Sequence, residues 1–225
     1  MINDRIVKIK VLTVIFDFEI ERRDIPAFRG AIIEKVGREN ILFHNHFEDK
    51  FRYGYPLIQY KAFKGNPAVI CVNEGTEEIL KFFEQTDWDI ILKGNEIKTE
   101  LKYLNLDYFT CGMMDRPRQY RIYNWFALNE DNFQKFIKLP GERAQTEFLQ
   151  GILIGNILSF AKGIHWHIDR KILLNIARIP KGRLFSFKDH QMVGFDLEFS
   201  ANVALPDNIG LGKSVTRGFG VIRKG

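Results

Sequence analysis

What most limits the folds open to this chain is the order of its periodic segments. Residues 7–20 alternate in part and are rich in β-branched and aromatic types, from Val7 and Ile9 to Val14 and Phe16, which marks a strand. Residues 25–38 carry Phe28, Ile32, Ile33 and Val36 at helical spacing, with Pro26 in the first turn and Asp24 placed as N-cap. Two strands follow at 57–63 and 68–72, joined by the turn-forming run Lys64-Gly65-Asn66-Pro67. A second helix is expected over 75–85, with Ile79, Leu80, Phe82 and Phe83 inward. A long strand or hairpin over 89–109 turns at Gly94-Asn95. Strand, helix, strand, strand, helix, strand is the order of the split βαβ unit.

The order repeats. Residues 120–128 read as a strand, and 131–138 and 143–162 as helices, the longer with Phe148, Leu149, Ile152, Leu153 and Leu158 on its apolar side. Strands are expected at 164–168, 173–180, 183–187 and 194–204, and a glycine-rich segment with Val221-Ile222 completes the set. The expected class is α+β: two tandem ferredoxin-like (RRM-like) βαββαβ domains, residues 1–112 and 113–225, the second ending in a glycine-rich loop. The boundary falls near 110–119, where Gly112, Asp115, Pro117 and Arg118 interrupt the pattern. A length of 225 residues, 45% hydrophobic, suffices for two domains of about 100 residues each.

No apolar run reaches the roughly 20 residues that span a bilayer. Asp4, Arg5, Lys8 and Lys10 interrupt any signal-peptide core at the N-terminus. Cys71 and Cys111 lie far apart among apolar or small neighbours, which predicts buried free thiols. A cytoplasmic protein without a membrane partner is the simplest expectation. The net charge of +5 is uneven. Residues 1–110 hold 16 Lys/Arg and 18 Asp/Glu, a net of −2, while residues 111–225 hold 17 and 10, a net of +7. A basic half with interleaved aromatics suits a nucleic-acid partner.

Near the C-terminus, Gly210-Leu211-Gly212 and Gly218-Phe219-Gly220 flank a five-residue polar and basic stretch that includes Lys213, Ser214, Thr216 and Arg217. Glycine admits positive φ and close backbone approach, and the side chains add donors suited to phosphate. Gly212-Lys213-Ser214 matches the tail of a Walker A loop, but the first glycine of that pattern would stand at Asp207. A cradle for a polyanion, or a glycine-rich turn closing a sheet, fits better than an ATP site.

Duplicated ferredoxin-like domains closed by this segment resemble the repeat-associated RNA-binding proteins of CRISPR systems. The first half narrows the resemblance. A helix beginning near Phe28-Arg29-Gly30-Ala31, then Leu42-Phe43-His44-Asn45-His46, then Tyr55-Pro56-Leu57-Ile58-Gln59-Tyr60-Lys61, is similar to the b-type subfamily of the Cas-six endoribonucleases. The resemblance implies metal-independent cleavage of CRISPR repeat RNA, with no cofactor: the ribose 2′-OH attacks the adjacent phosphate and leaves a 2′,3′-cyclic phosphate and a 5′-OH. It places catalysis at His46 and His44, without dividing acid from base. Tyr53 or Tyr55 would orient or donate, and Lys50 or Arg52 would supply a cation. Histidine titrates near neutrality and suits either proton-transfer role. RNA binding is expected from Gly210, Gly212, Lys213, Ser214, Thr216, Arg217, Gly218 and Gly220; a basic linker containing Arg116, Arg118 and Arg121 with Tyr120 and Tyr123 either joins in binding RNA or closes the interface between the domains. The resemblance leaves room for a homodimer and for a place in a CRISPR effector complex.

Alternatives stand beside this. A catalytically silent RNA-binding subunit of an effector complex would share the fold and the glycine-rich segment. His165 and His167 would share a strand face and, with His44 and His46, offer imidazoles to zinc, although no cysteine or carboxylate cluster supports that. Otherwise these two face RNA or solvent, and His190 sits in an exposed turn.

Overall fold

The computed structural model describes residues 6–44, 46–47, 50–51, 54–178, 182–187 and 190–225, with backbone course alone for 46, 47, 50, 51, 186, 187, 190 and 191. It divides into two compact units. The first is Lys8–Phe109 with Val215–Gly218; the second is Met1–Val7, Thr110–Ser214 and Phe219–Gly225.

The first unit runs β1 (Ile6–Phe16), a 3₁₀ turn (Arg22–Asp24), α1 (Ile25–Val36), α2 (Ile41–His44), β2 (His46–Phe47), β3 (Lys50–Phe51), β4 (Ile58–Phe63) and β5 (Asn66–Val72). It continues through α3 (Gly75–Glu78), α4 (Leu80–Phe83), β6 (Ile90–Leu92), β7 (Asn95–Ile97) and the start of β8 (Leu101–Trp125). Its sheet has the order β8-β1-β5-β4, the arrangement of last, first, third and second strand expected of a split βαβ unit. Val11 pairs with Val72 and Ile15 with Ala68, while Ile58 pairs with Cys71 and Phe63 with Asn66. Both ladders are antiparallel. The core is one cluster containing Val14, Phe16, Phe28, Ile32, Phe43, Tyr60, Val69 and Phe82. Phe28 meets Phe16 edge-on at 5.7 Å and Tyr60 at 5.9 Å, the geometry favoured by the ring quadrupole.

Local details differ from expectation for physical reasons. Asp24 does not cap α1: it ends the 3₁₀ turn in a helical conformation, and its carboxylate pairs with Lys93. The hairpin turns are Lys64-Gly65 and Lys93-Gly94, each with positive φ at both residues, as two-residue hairpins require. Asn66 and Pro67 already belong to β5.

The second unit continues β8 and adds α5 (Glu130–Phe136), α6 (Gly141–Gly163), β9 (Leu174–Ile176), β10 (Arg183–Phe187), β11 (His190–Ala204) and β12 (Val221–Lys224), with a 3₁₀ turn at Val215–Arg217 before β12. β12 and β11 flank β8, and both β9 and β10 pair with β11, so the second strand of this unit comes in two pieces. Leu149, Leu153, Ile157 and Phe160 of α6 are buried. The fold class is tandem ferredoxin-like.

Between β11 and β12 the glycine-rich segment, with its 3₁₀ turn, stands in the place of the unit's second helix. Two expectations are corrected here. Residues 164–168 are not a strand, because Ile164 closes α6 and His165 takes a positive φ of 57°. The basic linker is not a linker: β8 runs through it. Ala201 faces Arg118 and Val203 faces Met113, so residues 114–117 form a bulge in the strand. Asp115 and Pro117 break the alternation without ending the strand. Among the described residues no helix is long and apolar enough to cross a membrane.

Candidate functional site

In the first unit a single turn of helix carries His44. Phe43 anchors that turn with 0% exposure, and the buried Tyr60 hydroxyl donates to its carbonyl at 3.2 Å. Arg29, from α1, donates through Nη2 to the His44 carbonyl at 2.7 Å. The ring is fixed as well: His44 Nε2 stands 2.6 Å from the Arg38 carbonyl. A carbonyl only accepts, so Nε2 carries the proton in that contact and a neutral ring keeps its lone pair on Nδ1.

His46 opens β2, opposite Phe51, and Lys50 of β3 faces Phe47, so the chain makes a small hairpin just after His44. The side chains of His46 and Lys50, and all of Arg52 and Tyr53, lie outside the described residues. Tyr55 is buried, and its hydroxyl accepts from Gln59 Nε2 at 2.8 Å. β4 carries two further buried polar side chains, Gln59 and Lys61.

Arg217 belongs to the same unit. Its 3₁₀ turn packs against α1 and β4, and Arg22 Nη2 donates to the Gly218 carbonyl at 2.7 Å. Gly218 has φ +82°, and a Cβ there would lie 2.5 Å from Ile25 Cδ1, so only glycine permits this approach to α1. Burial holds the Arg217 guanidinium below its ordinary pKa. Arg29 is lowered mainly by burial and further by the charge of Arg217, against the opposing effect of Tyr60. Sequence reasoning passed over Arg29 as a site residue. The signal was its position: Ile25, Arg29 and Ile33 stand four apart on α1, and the two isoleucines are core residues.

In the second unit the rest of the glycine-rich segment closes on its own sheet. Gly210 bridges to Val221, Leu211 N–H donates to Gly220 O at 2.8 Å, and Gly220 N–H donates to Asn124 O at 3.2 Å. In the first unit, Gly218 N–H donates to Val215 O at 3.3 Å. A Cβ on Gly212 would fall 2.7 Å from Trp125 Nε1, and one on Gly220 would strike the Leu211 carbonyl. The close approaches made by these glycines are thus to the protein's own chain. Lys213 is exposed, and Ser214 and Thr216 are partly exposed.

On β8, Arg116 and Arg118 are exposed. Tyr120 is buried: it stacks on Phe199 at 5.3 Å, donates to Val203 O at 2.8 Å and accepts from Leu205 N at 3.1 Å. That removes it from base stacking, whereas Tyr123 is 37% exposed. His165 and His167 are exposed on either side of buried Trp166, and the His190 side chain lies outside the described residues. Among the described residues no three His, Cys, Asp or Glu side chains stand together to hold a metal. Cys71 and Cys111 are buried free thiols.

Residues 7–110 match the family model of the Cas6b N-terminal domain, and residues 112–225 match that of the Cas6b C-terminal domain. An uncharacterized protein of Methanocaldococcus jannaschii is 28% identical over 135 residues, which is 60% of this chain and 90% of that protein. A crystal structure of Cas6b is 28% identical, with 97% of this chain and 100% of that chain covered and a TM-score of 0.85. A CRISPR RNA processing endoribonuclease, also described as Cas6b, is 26% identical over 97% of this chain and 100% of its own, with a TM-score of 0.73.

Proposed function

The chain belongs to the Cas6b family, and from that premise we propose that it is an endoribonuclease that cleaves CRISPR precursor RNA within each repeat. The observation that carries the reading is the His44-x-His46 pair at the end of α2, with His44 held at both its carbonyl and its Nε2. A histidine fixed in this way is held in place for proton transfer. In the proposed reaction one histidine takes the 2′-proton as the 2′-oxygen attacks phosphorus. The other protonates the departing 5′-oxygen, leaving a 2′,3′-cyclic phosphate and a 5′-OH. His44 takes one of these two roles and His46 the other. Lys50 offsets charge on the phosphorane, Tyr53 orients the reacting groups, and buried Tyr55 supports the start of β4. The chemistry uses no metal ion or cofactor.

RNA is held by side chains at the surface together with the half-buried Arg217. Lys213, Ser214, Thr216 and Arg217 meet phosphates, and Arg116 and Arg118 meet the backbone elsewhere. Gly212, Gly218 and Gly220 shape the segment, since their tight approaches are to the protein itself, and Gly210 bridges to Val221. The test is incubation of the purified chain with its own repeat RNA in excess EDTA, with analysis of product ends. Product carrying a cyclic phosphate is expected. Tight binding without cleavage would make the chain a silent RNA-binding subunit instead.

A further inference from the structure

We infer that Arg29 and Arg217 form a phosphate site in the first unit, beside His44, which takes one backbone phosphate of the bound RNA; this rests on the endoribonuclease reading above. Arg29 extends from a helix face that is otherwise core. One of its nitrogens, Nη2, donates to the His44 carbonyl, while its Nε is closed off from solvent and finds no acceptor among the described residues. No carboxylate among the described residues acts on it; the groups that do are the Tyr60 phenol and the Arg217 guanidinium. Arg217 is brought in by a turn fixed on α1 through the Arg22 bond to Gly218 and the fit of Gly218 against Ile25.

A guanidinium withdrawn from water ordinarily takes a carboxylate partner, because a buried charge without one is costly. Arg29 instead has one carbonyl and a like charge. If the side chain served only to hold the His44 turn, a neutral donor would do so without repelling Arg217. A phosphodiester answers the arrangement: it brings one negative charge and oxygens matched to the guanidinium fork. Arg29 would then bind phosphate and position His44 through the same planar group, tying occupancy of the site to the placement of the histidine.

The test is thermal unfolding of the full chain during titration with inorganic phosphate, at ionic strength matched with chloride. A saturable rise in melting temperature is expected for the wild type, as for any ligand that binds only the folded state. The rise should vanish in Arg29→Gln and Arg217→Gln and survive in part in Arg29→Lys. Repeat-RNA affinity in either glutamine variant should have a salt slope shallower by about 0.7, the loss of one phosphate contact on a single strand. No rise beyond chloride in the wild type, or a full rise in both glutamine variants, would overturn the site. Should Arg29→Gln not fold, Arg217→Gln and Arg29→Lys decide the question. A failure of the endoribonuclease reading is distinguishable: cleavage would be absent while the phosphate response and its arginine dependence remained.

Discussion

The Tyr60 hydroxyl donates to the Phe43 carbonyl at 3.2 Å, one residue ahead of His44, so a core side chain of β4 holds the turn on which the proposed chemistry depends. Burial pushes the phenol well above its ordinary pKa, so it remains a neutral donor across the working range. Tyr60→Phe keeps the ring contact with Phe28 and leaves a buried carbonyl without its donor. The expected cost is about 1–3 kcal/mol, read as a melting temperature lower by roughly 2–10 °C for a chain of this size. Cleavage should fall more than RNA affinity. Equal losses in both would show that the bond supports the unit as a whole and not the His44 turn.

His44→Ala and His46→Ala should each lower the single-turnover cleavage rate by about 10²–10⁴-fold, the range for loss of a general acid or base. RNA affinity should change little, because neither variant removes a phosphate-binding cation. Wild-type rates in the double variant would remove the histidines from the mechanism.

Much of this was readable in the sequence, and the limits have physical causes. Period and turn residues place β1, α1, the β4–β5 hairpin and α6, because each has a continuous apolar face. Asp115 and Pro117 interrupt the alternation and so suggest a linker, yet a strand absorbs such residues in a bulge. At the site, His44-x-His46 stood out by residue type. Arg29 did not, because its proposed role rests on its having no carboxylate partner among the described residues, and partners are set by tertiary contacts. The glycines stood out for their conformational freedom, but their close approaches to Trp125, Leu211 and Ile25 are tertiary contacts that no local pattern shows.

Glycine 220 gives a sharp stability test. Its φ is +64°, and a Cβ would overlap the Leu211 carbonyl, a backbone atom that cannot move aside without breaking the Leu211–Gly220 bond. Gly65 also has positive φ, but nothing lies within 4 Å of its Cβ position. Gly65→Ala should therefore show only the conformational cost of about 1–2 kcal/mol, and Gly220→Ala a clearly larger loss in thermal unfolding. Equal losses would mean that the segment adapts.

Lys213 is exposed, so Lys213→Ala should leave stability unchanged and weaken RNA binding. The weakening should be the same for cognate and unrelated RNA, since phosphate contacts carry no base information. The salt slope should become shallower by about 0.7. An unchanged slope, measured by filter binding between low and moderate salt, would place the RNA away from this residue.

The buried thiols predict how the protein responds to alkali. Burial pushes Cys111 up to about 12 and Cys71 higher still, from an ordinary value of 9.0. The folded pKa lies above the unfolded one, so both contributions are fully present below about pH 9. As pH rises beyond that point, only the unfolded chain releases the proton. Each thiol then removes about 1.4 kcal/mol per pH unit until its folded pKa is reached. Stability should therefore fall steadily between pH 9 and 11, and Cys111→Ala should make that fall less steep without altering the slope below pH 8. The same burial should keep both thiols unreactive toward an aromatic disulfide reagent until the protein is denatured. Rapid native-state labelling of either, or an identical alkaline slope in Cys111→Ala, would contradict the burial on which the argument depends.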